Sequence, residues 1–332
     1  MSTQGKVTSL DVAKRAGVSR SAVSRVFTPG ASVSERTATK VRDAADALGY
    51  RPNVLARAML TGKSKIIGLV VAYLDNHFYP TMLELLSEAL EREGYHVLVF
   101  MASHTASDIE DVVSQILDYQ VDGLVLASVA LSSDLADRCR ASGVPVVLFN
   151  RMLETDGELA VVSDNRAGGR MAAEHFVFSG RTRIGHIAGW EDASTQRDRE
   201  AGFMEGLRAA GQGLFAREVG DFRLNRAQDA TRRMFDTEIR PDAVFVANDY
   251  MAFGVMDVLR AELGLRVPDD VAVIGFDDVP SAAWPAYGLT TVRQDAQAMV
   301  TATVQALLSE IQGQSAVSQT KLPVSLIKRS SA

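Results

Sequence analysis

From residue 65 onward, short apolar runs alternate with longer stretches of helical periodicity, and this alternation confines the chain to few folds. Residues 66–72, 96–101, 122–127 and 144–149 read as strands. Between them, 80–93, 106–119 and 131–142 read as helices, the first ended by Gly94. The rhythm starts over after Val161 and Val162. Helices over 166–178, 197–210, 226–235 and 250–263 then alternate with strands over 184–188, 243–247 and 271–276. Such a succession requires parallel strands covered by helices on both faces, so two successive runs predict two doubly wound lobes with a cleft between them. In sheets of this kind ligands sit beyond the carboxyl ends of the strands, which makes the loops after strands the place to look.

The charge is distributed as unevenly as the periodicity. Residues 1–63 carry eleven Lys/Arg against four Asp/Glu, a balance of +7; the whole chain is -6, which leaves -13 on residues 64–332. A small cationic head on a large anionic body points to a head that meets a polyanion. The longest apolar runs, 66–72 and 144–149, fall far short of the ~18 residues that span a bilayer. Residues 1–6 lack an apolar signal stretch, and the one cysteine, Cys139, excludes an intrachain disulfide. A cytoplasmic protein without a membrane partner is expected.

In the head, Thr8 and Asp11 form a capping pair that opens a helix, with Leu10, Ala13 and Ala16 sharing a face and Gly17 as the stop. Ser19 is the next N-cap, for a second helix over 20–27, and a third helix runs over 34–48 to Gly49. Two short helices joined by a tight turn make a helix-turn-helix, in which Ala13, Val18, Val23 and Val26 face inward. Arg20, Ser21, Ser24 and Arg25 are left outward, at the start of the helix that reads base edges in such motifs. A three-helix bundle of another purpose can show the same spacing, and the cationic balance favours DNA.

The run Leu10-Asp11-Val12-Ala13-Lys14-Arg15-Ala16-Gly17-Val18-Ser19, then Ala22-Val23-Ser24-Arg25-Val26, resembles the head of the lactose/galactose-repressor (LacI/GalR) family of transcription factors. Leu48-Gly49-Tyr50-Arg51-Pro52-Asn53, Ala56-Arg57 and Thr61-Gly62-Lys63-Ser64 resemble it too. The resemblance implies that Arg20 and Ser21 choose the operator sequence and that Arg25 contacts bases or phosphates from the same helix. It also implies that residues 53–60 are a hinge, a tether in the free protein that becomes a helix in the minor groove, with Asn53, Ala56 and Arg57 on the DNA. Seven or eight residues do not hold a helix alone in water, so folding on DNA is physically reasonable. Met59 stands where the family usually has the Leu wedge, and another apolar residue there keeps the wedge available.

The body resembles the periplasmic-binding-protein-like (type I) sensor of the same family. Asp164-Asn165-x-x-Gly168, Arg199-x-x-Gly202-Phe203, Ala247-Asn248-Asp249, Gly275-Phe276-Asp277-Asp278 and Leu289-Thr290-Thr291-Val292 carry the likeness. It implies effector contacts at Arg199, Asn248 and Asp277, with Phe222 stacking on a ring and Phe78 and Asn76 as further candidates. Each also has a plainer reading: Asn248 and Asp249 as helix caps, Asp277-Asp278 as a turn, Phe222 as core. Residues 284–288, Trp-Pro-Ala-Tyr-Gly, depart from the family's usual prolines before Leu289.

These expectations give a small all-α helix-turn-helix head over 1–52, a hinge over 53–64 and an α/β body of two doubly wound parallel-sheet lobes over 65–332. The resemblance implies that the chain crosses between lobes near Ser163, Thr291 and Lys321, which puts lobe one at about 65–163 plus 292–320 and lobe two at about 164–291 plus 321–329. The resemblance implies a homodimer on a pseudo-palindromic operator, repressing until a small effector, a sugar or sugar derivative, changes the lobes. Arg197 beside Arg199 also leaves room for an acid or a phosphate ester. No cofactor, metal or catalytic site is expected. The five histidines lack metal-ligand spacing, and neither a phosphate loop nor a Gly-x-Ser-x-Gly turn is present. A transport-type sugar-binding protein and a DNA-binding regulator with a vestigial pocket are the alternatives.

Overall fold

The computed structural model describes residues 7–28, 30–51, 63–72, 74–102, 106–127, 138–139, 141–152, 158–314 and 317–332. They form two compact units, 1–65 and 66–332.

In the head, α1 (Ser9–Ala16), α2 (Arg20–Val26) and α3 (Glu35–Leu48) pack around Val12, Ala13, Val23, Val41, Ala44 and Ala45. The expected caps are present. Thr8 and Asp11 close a capping box, Ser19 Oγ accepts from Ala22 N at 3.2 Å, and Gly17 and Gly49 both take the left-handed conformation at φ 66°. The face shared by Leu10, Ala13 and Ala16 is not buried throughout: Leu10 is 48% exposed, whereas Val12 is fully buried. The buried arc of α1 is centred between Val12 and Ala13, and at ~100° per residue Leu10 falls about 110° away from that centre.

The body contains, among the described residues, two six-stranded sheets. The first has β1 (Ile66–Val71), β2 (His96–Met101), β3 (Gly123–Ala127), β4 (Val146–Phe149), β5 (Leu159–Ser163) and β11 (Gln319–Leu322), in the order β11-β5-β4-β3-β1-β2. The second has β6 (Ile184–Ala188), β7 (Ala216–Val219), β8 (Ala243–Val246), β9 (Ala272–Asp277), β10 (Thr290–Gln294) and β12 (Val324–Ile327), in the order β12-β10-β9-β8-β6-β7. Every pairing is parallel except β10 with β12. Central strands β3, β6, β8 and β9 are buried along their whole length, as strands covered on both faces must be.

Helices α4 (Phe78–Arg92), α5 (Ala106–Asp118), α6 (Asn165–Phe178), α7 (Ser194–Ala209), α8 (Leu224–Phe235), α9 (Asp249–Asp257) and α10 (Ala296–Ile311) complete the layers. A widened π-type turn over Val258–Glu262 continues α9. Most of the helix expected over 131–142 lies outside the described residues. Sheet edge β7 escapes the periodicity reading because Arg217 and Glu218 interrupt its apolar pattern.

Two crossings shift from their expected places. Val292 and Arg293 pair with both β9 and β12 and Gln294 with β12, so the chain crosses after Gln294 rather than near Thr291. Lys321 and Leu322 remain in the first sheet beside Val162 and Ser163, and the last crossing falls at Pro323. Proline lacks the N–H a ladder needs, which suits it to the break between two strands of different sheets.

Candidate functional site

On the head, Arg20, Ser21, Ser24 and Arg25 are all exposed along α2, as the spacing predicts. Arg20 Nε donates to Ser9 Oγ at 3.1 Å, and the Ser19 and Ser21 hydroxyls share a hydrogen bond of 2.9 Å. Asn53, Ala56, Arg57 and Met59 lie outside the described residues.

In the body, the carboxyl ends of both sheets face a narrow, nearly closed polar cleft. Of the candidates, Asn76, Arg199, Phe222, Asn248 and Asp277 line it. Phe78 does not. Its ring is buried against Phe149, 6.3 Å between centroids, because the first turn of α4 points it into the first lobe's core. Tyr79, one residue on, lines the cleft instead, joined by Asn150, Arg151 and Thr195. Asn150 and Arg151 directly follow β4, and Thr195 lies in the first turn of α7 beyond the loop from β6, so position alone marked them, although no motif did.

The fold aims these groups by local backbone chemistry. Asp277 and Asp278 both have positive φ, 123° and 58°, and the reversal sends the two carboxylates apart. Asp278 is held by Arg293 and Arg329, each at 2.6 Å. Asp277 turns into the cleft, where it accepts from Gln294 Nε2 at 2.8 Å and Asn76 Nδ2 at 3.2 Å, with Arg199 Nη2 at 3.5 Å. Burial pushes the Asp277 carboxyl up to about 6, against the opposing pull of Arg199. Asp249 is raised well above the ordinary carboxylate range, first by burial and then by the charge of Asp277. It accepts from Thr291 Oγ1 at 2.5 Å and Val279 N at 3.0 Å, so it props the β9 turn rather than lining the cleft.

Arg199 is tightly held: Nε donates to Asn165 Oδ1 at 2.8 Å, Nη1 to Ala247 O at 2.6 Å, and its guanidinium lies 3.7 Å from the Phe276 ring centre. Asn248 both lines the cleft and caps α9, its Oδ1 accepting from Met251 N at 2.9 Å. Phe222, at φ 55°, lays its ring over Gly189, where any Cβ would run into that ring.

Direct bonds join the lobes across this cleft. Besides Asn76 to Asp277, the His77 Nδ1 and Ser281 Oγ atoms lie 2.9 Å apart. Arg151 Nη1 donates to Thr195 Oγ1 at 2.9 Å and Met152 N to Ser194 Oγ at 3.1 Å. Among the described residues, Asn150 Oδ1, Arg151 Nε and Gln294 Oε1 are buried without a hydrogen-bond partner. Among the described residues no group of acidic, histidine or cysteine side chains could hold a metal, and no helix is long and apolar enough to cross a membrane.

A helix-turn-helix head and a two-lobed body with a polar cleft define a ligand-responsive DNA-binding protein. Comparison with known proteins gives the same class. Residues 8–53 match the bacterial regulatory proteins of the lacI family, and 173–332 match the periplasmic binding protein-like domain. The chain is 30% identical over 304 residues to the HTH-type transcriptional repressor PurR of Photobacterium profundum, covering 91% of each. It is 33% identical over 289 residues to the ribose operon repressor of Escherichia coli (strain K12), covering 86% of this chain and 87% of that one. Among solved structures, the lac repressor dimer bound to operator and the anti-inducer ONPF superposes with a TM-score of 0.89 at 31% identity, over 98% of this chain and 99% of that one. The CelR–cellobiose complex superposes with a TM-score of 0.75 at 30% identity, over 98% and 100%. The chain belongs to the lacI family of bacterial regulatory proteins, and is a DNA-binding transcriptional regulator.

Proposed function

We propose that this chain is a repressor whose affinity for a pseudo-palindromic operator is set by a small hydroxyl-rich effector bound between the lobes of its body. The observation that carries the reading is that the cleft residues themselves bond across the lobes. Asn76 reaches Asp277, and Arg151 reaches Thr195. A ligand taking over these donors and acceptors competes with the bonds between lobes, and so has different affinities for two lobe arrangements. That difference is what allows a ligand to shift an equilibrium. Amides, a carboxylate and the Phe222 ring suit hydroxyls and a flat sugar face. Relatives named for ribose and a structure with cellobiose favour a sugar or sugar derivative.

In this reading α2 enters the major groove through Arg20, Ser21, Ser24 and Arg25, while Asn53, Ala56, Arg57 and Met59 belong to the minor-groove hinge. The chain works in the cytoplasm as a homodimer and as a regulator rather than an enzyme. Edge strand β2 supports the dimer, since it exposes Val99 and Met101 at 39% and 50%.

Fluorescence polarisation on a palindromic operator with a central CG step, repeated with sugars and sugar acids, tests the scheme. Tight, salt-dependent binding shifted by one compound is expected. Asp277→Ala should abolish the response to that compound; a normal response removes this residue from the effector site. Should selection from random DNA recover no bound sequence, the repressor reading fails.

A further inference from the structure

Two arginines line the effector cleft, and they stand in opposite electrostatic situations. Arg199 faces the Asp277 carboxylate and a backbone carbonyl. Arg151 is just as deeply placed, 6% exposed, yet among the described residues no carboxylate lies within ion-pair distance of it. Its Nη1 donates to a neutral hydroxyl, Thr195 Oγ1, and its Nε has no hydrogen-bond partner among the described residues. The Trp190 and Phe222 ring centres, at 5.8 Å and 5.9 Å, flank the guanidinium without neutralising it. Burying an unpaired guanidinium is costly, and a ligand that brings the missing negative charge recovers that cost on binding.

A second feature points to the same spot. Helix α7, sixteen residues long, begins at Ser194 with no side-chain cap, and Thr195 in its first turn is the residue that Arg151 touches. The positive end of a helix therefore adds to the guanidinium. By contrast Arg197, whose position in the sequence suggested an acidic ligand, is exposed and donates to Asp192 O at 2.8 Å. The anion-seeking group is the arginine after β4.

We infer that the effector is a hydroxyl-rich anion, a sugar acid or a sugar phosphate, whose negative group pairs with Arg151 while its hydroxyls meet Asp277, Asn248 and Asn76. This deepens the proposed function and rests on its placement of the effector. The planar guanidinium fork matches the paired oxygens of a carboxylate or a phosphate equally, so the chemistry common to both is what the site reads.

Calorimetric titration of the full chain with matched probes tests the inference: D-glucose against D-gluconate and D-glucose 6-phosphate, and D-ribose against D-ribose 5-phosphate. At least one anion should bind about tenfold or more tightly than its neutral parent. The gluconate and phosphate arms then tell carboxylate from phosphate. Arg151→Gln should equalise the pair and Arg151→Lys should restore part of the preference, with thermal melts confirming that both variants fold. If Arg151→Gln does not fold, the wild-type preference and its retention in Arg151→Lys carry the test. A neutral parent binding as well as its anion, no anion binding, or a preference that survives in Arg151→Gln overturns it. Operator binding without ligand, measured in the same buffer, separates the two readings. Intact operator binding with no anion preference sinks this inference alone, whereas loss of operator binding sinks the repressor reading beneath it.

Discussion

Single side chains in this protein are set by what is buried beside them. His186 is fully enclosed, stacked on Phe245 with 5.1 Å between ring centres, and its Nδ1 lies 3.0 Å from Phe245 O. Gln196 spends its Oε1 on Gly189 N and points its amide nitrogen at His186 Nε2 and Glu200, so the imidazole is neutral with its proton on Nδ1. Burial lowers its pKa from 6.5 to about 4. The folded value lies below the unfolded one, so the unfolded chain binds the proton first. The stabilisation this residue gives is complete above about pH 6.5 and is lost as the pH falls toward 4. Between pH 7 and pH 5 the loss should be about 2 kcal/mol, read as the part of the urea-stability slope that disappears in His186→Gln. An unchanged slope would mean that the imidazole is already hydrated in the fold. On the head, Arg25→Ala should weaken operator binding by about 1–3 kcal/mol in a polarisation titration. Binding at wild-type strength would remove α2 as the reading helix.

Elements meet through a few positions that tolerate one residue type. Helices α6 and α7 cross so closely that a Cβ on Gly202 would collide with the Arg166 carbonyl, and one on Gly169 with the Arg199 carbonyl. The partner in each case is backbone, which does not swing aside. Gly202→Ala should therefore cost about 3 kcal/mol, at the upper end for overpacking, measured as a lowered urea midpoint at unchanged slope. A loss below ~0.5 kcal/mol would show that the two helices separate freely. This contact also sets the effector cleft, because Arg199 on α7 is oriented by Asn165 on α6. The family motif containing Gly202 thus joins a packing position to a polar one a turn away. The capping residues Thr8 and Ser19 were legible for a simpler reason, since each acts within three residues of itself.

Across the whole molecule, the two-fold operator expected here demands two heads. Replacing Val99 with Glu on edge strand β2 should shift sedimentation toward the monomer and weaken operator binding, and an unaltered dimer would move the interface elsewhere. Periodicity, capping and strand ends act over a few residues. The order and type of most elements as far as β9, the helix-turn-helix with its outward residues, and the loops that would carry the site were therefore legible in the linear chain, whereas β5, β7 and the elements after β9 were not. Which polar groups in those loops meet was not. Folding turned Asp277 into the cleft and Asp278 away, chose Tyr79 over Phe78, and buried Arg151 beside Thr195 while leaving Arg197 outside. It also carried β10 on to Gln294 and β11 on to Leu322. Each of these outcomes depends on backbone reversals and on partners from distant segments, and such contacts leave no period in the chain.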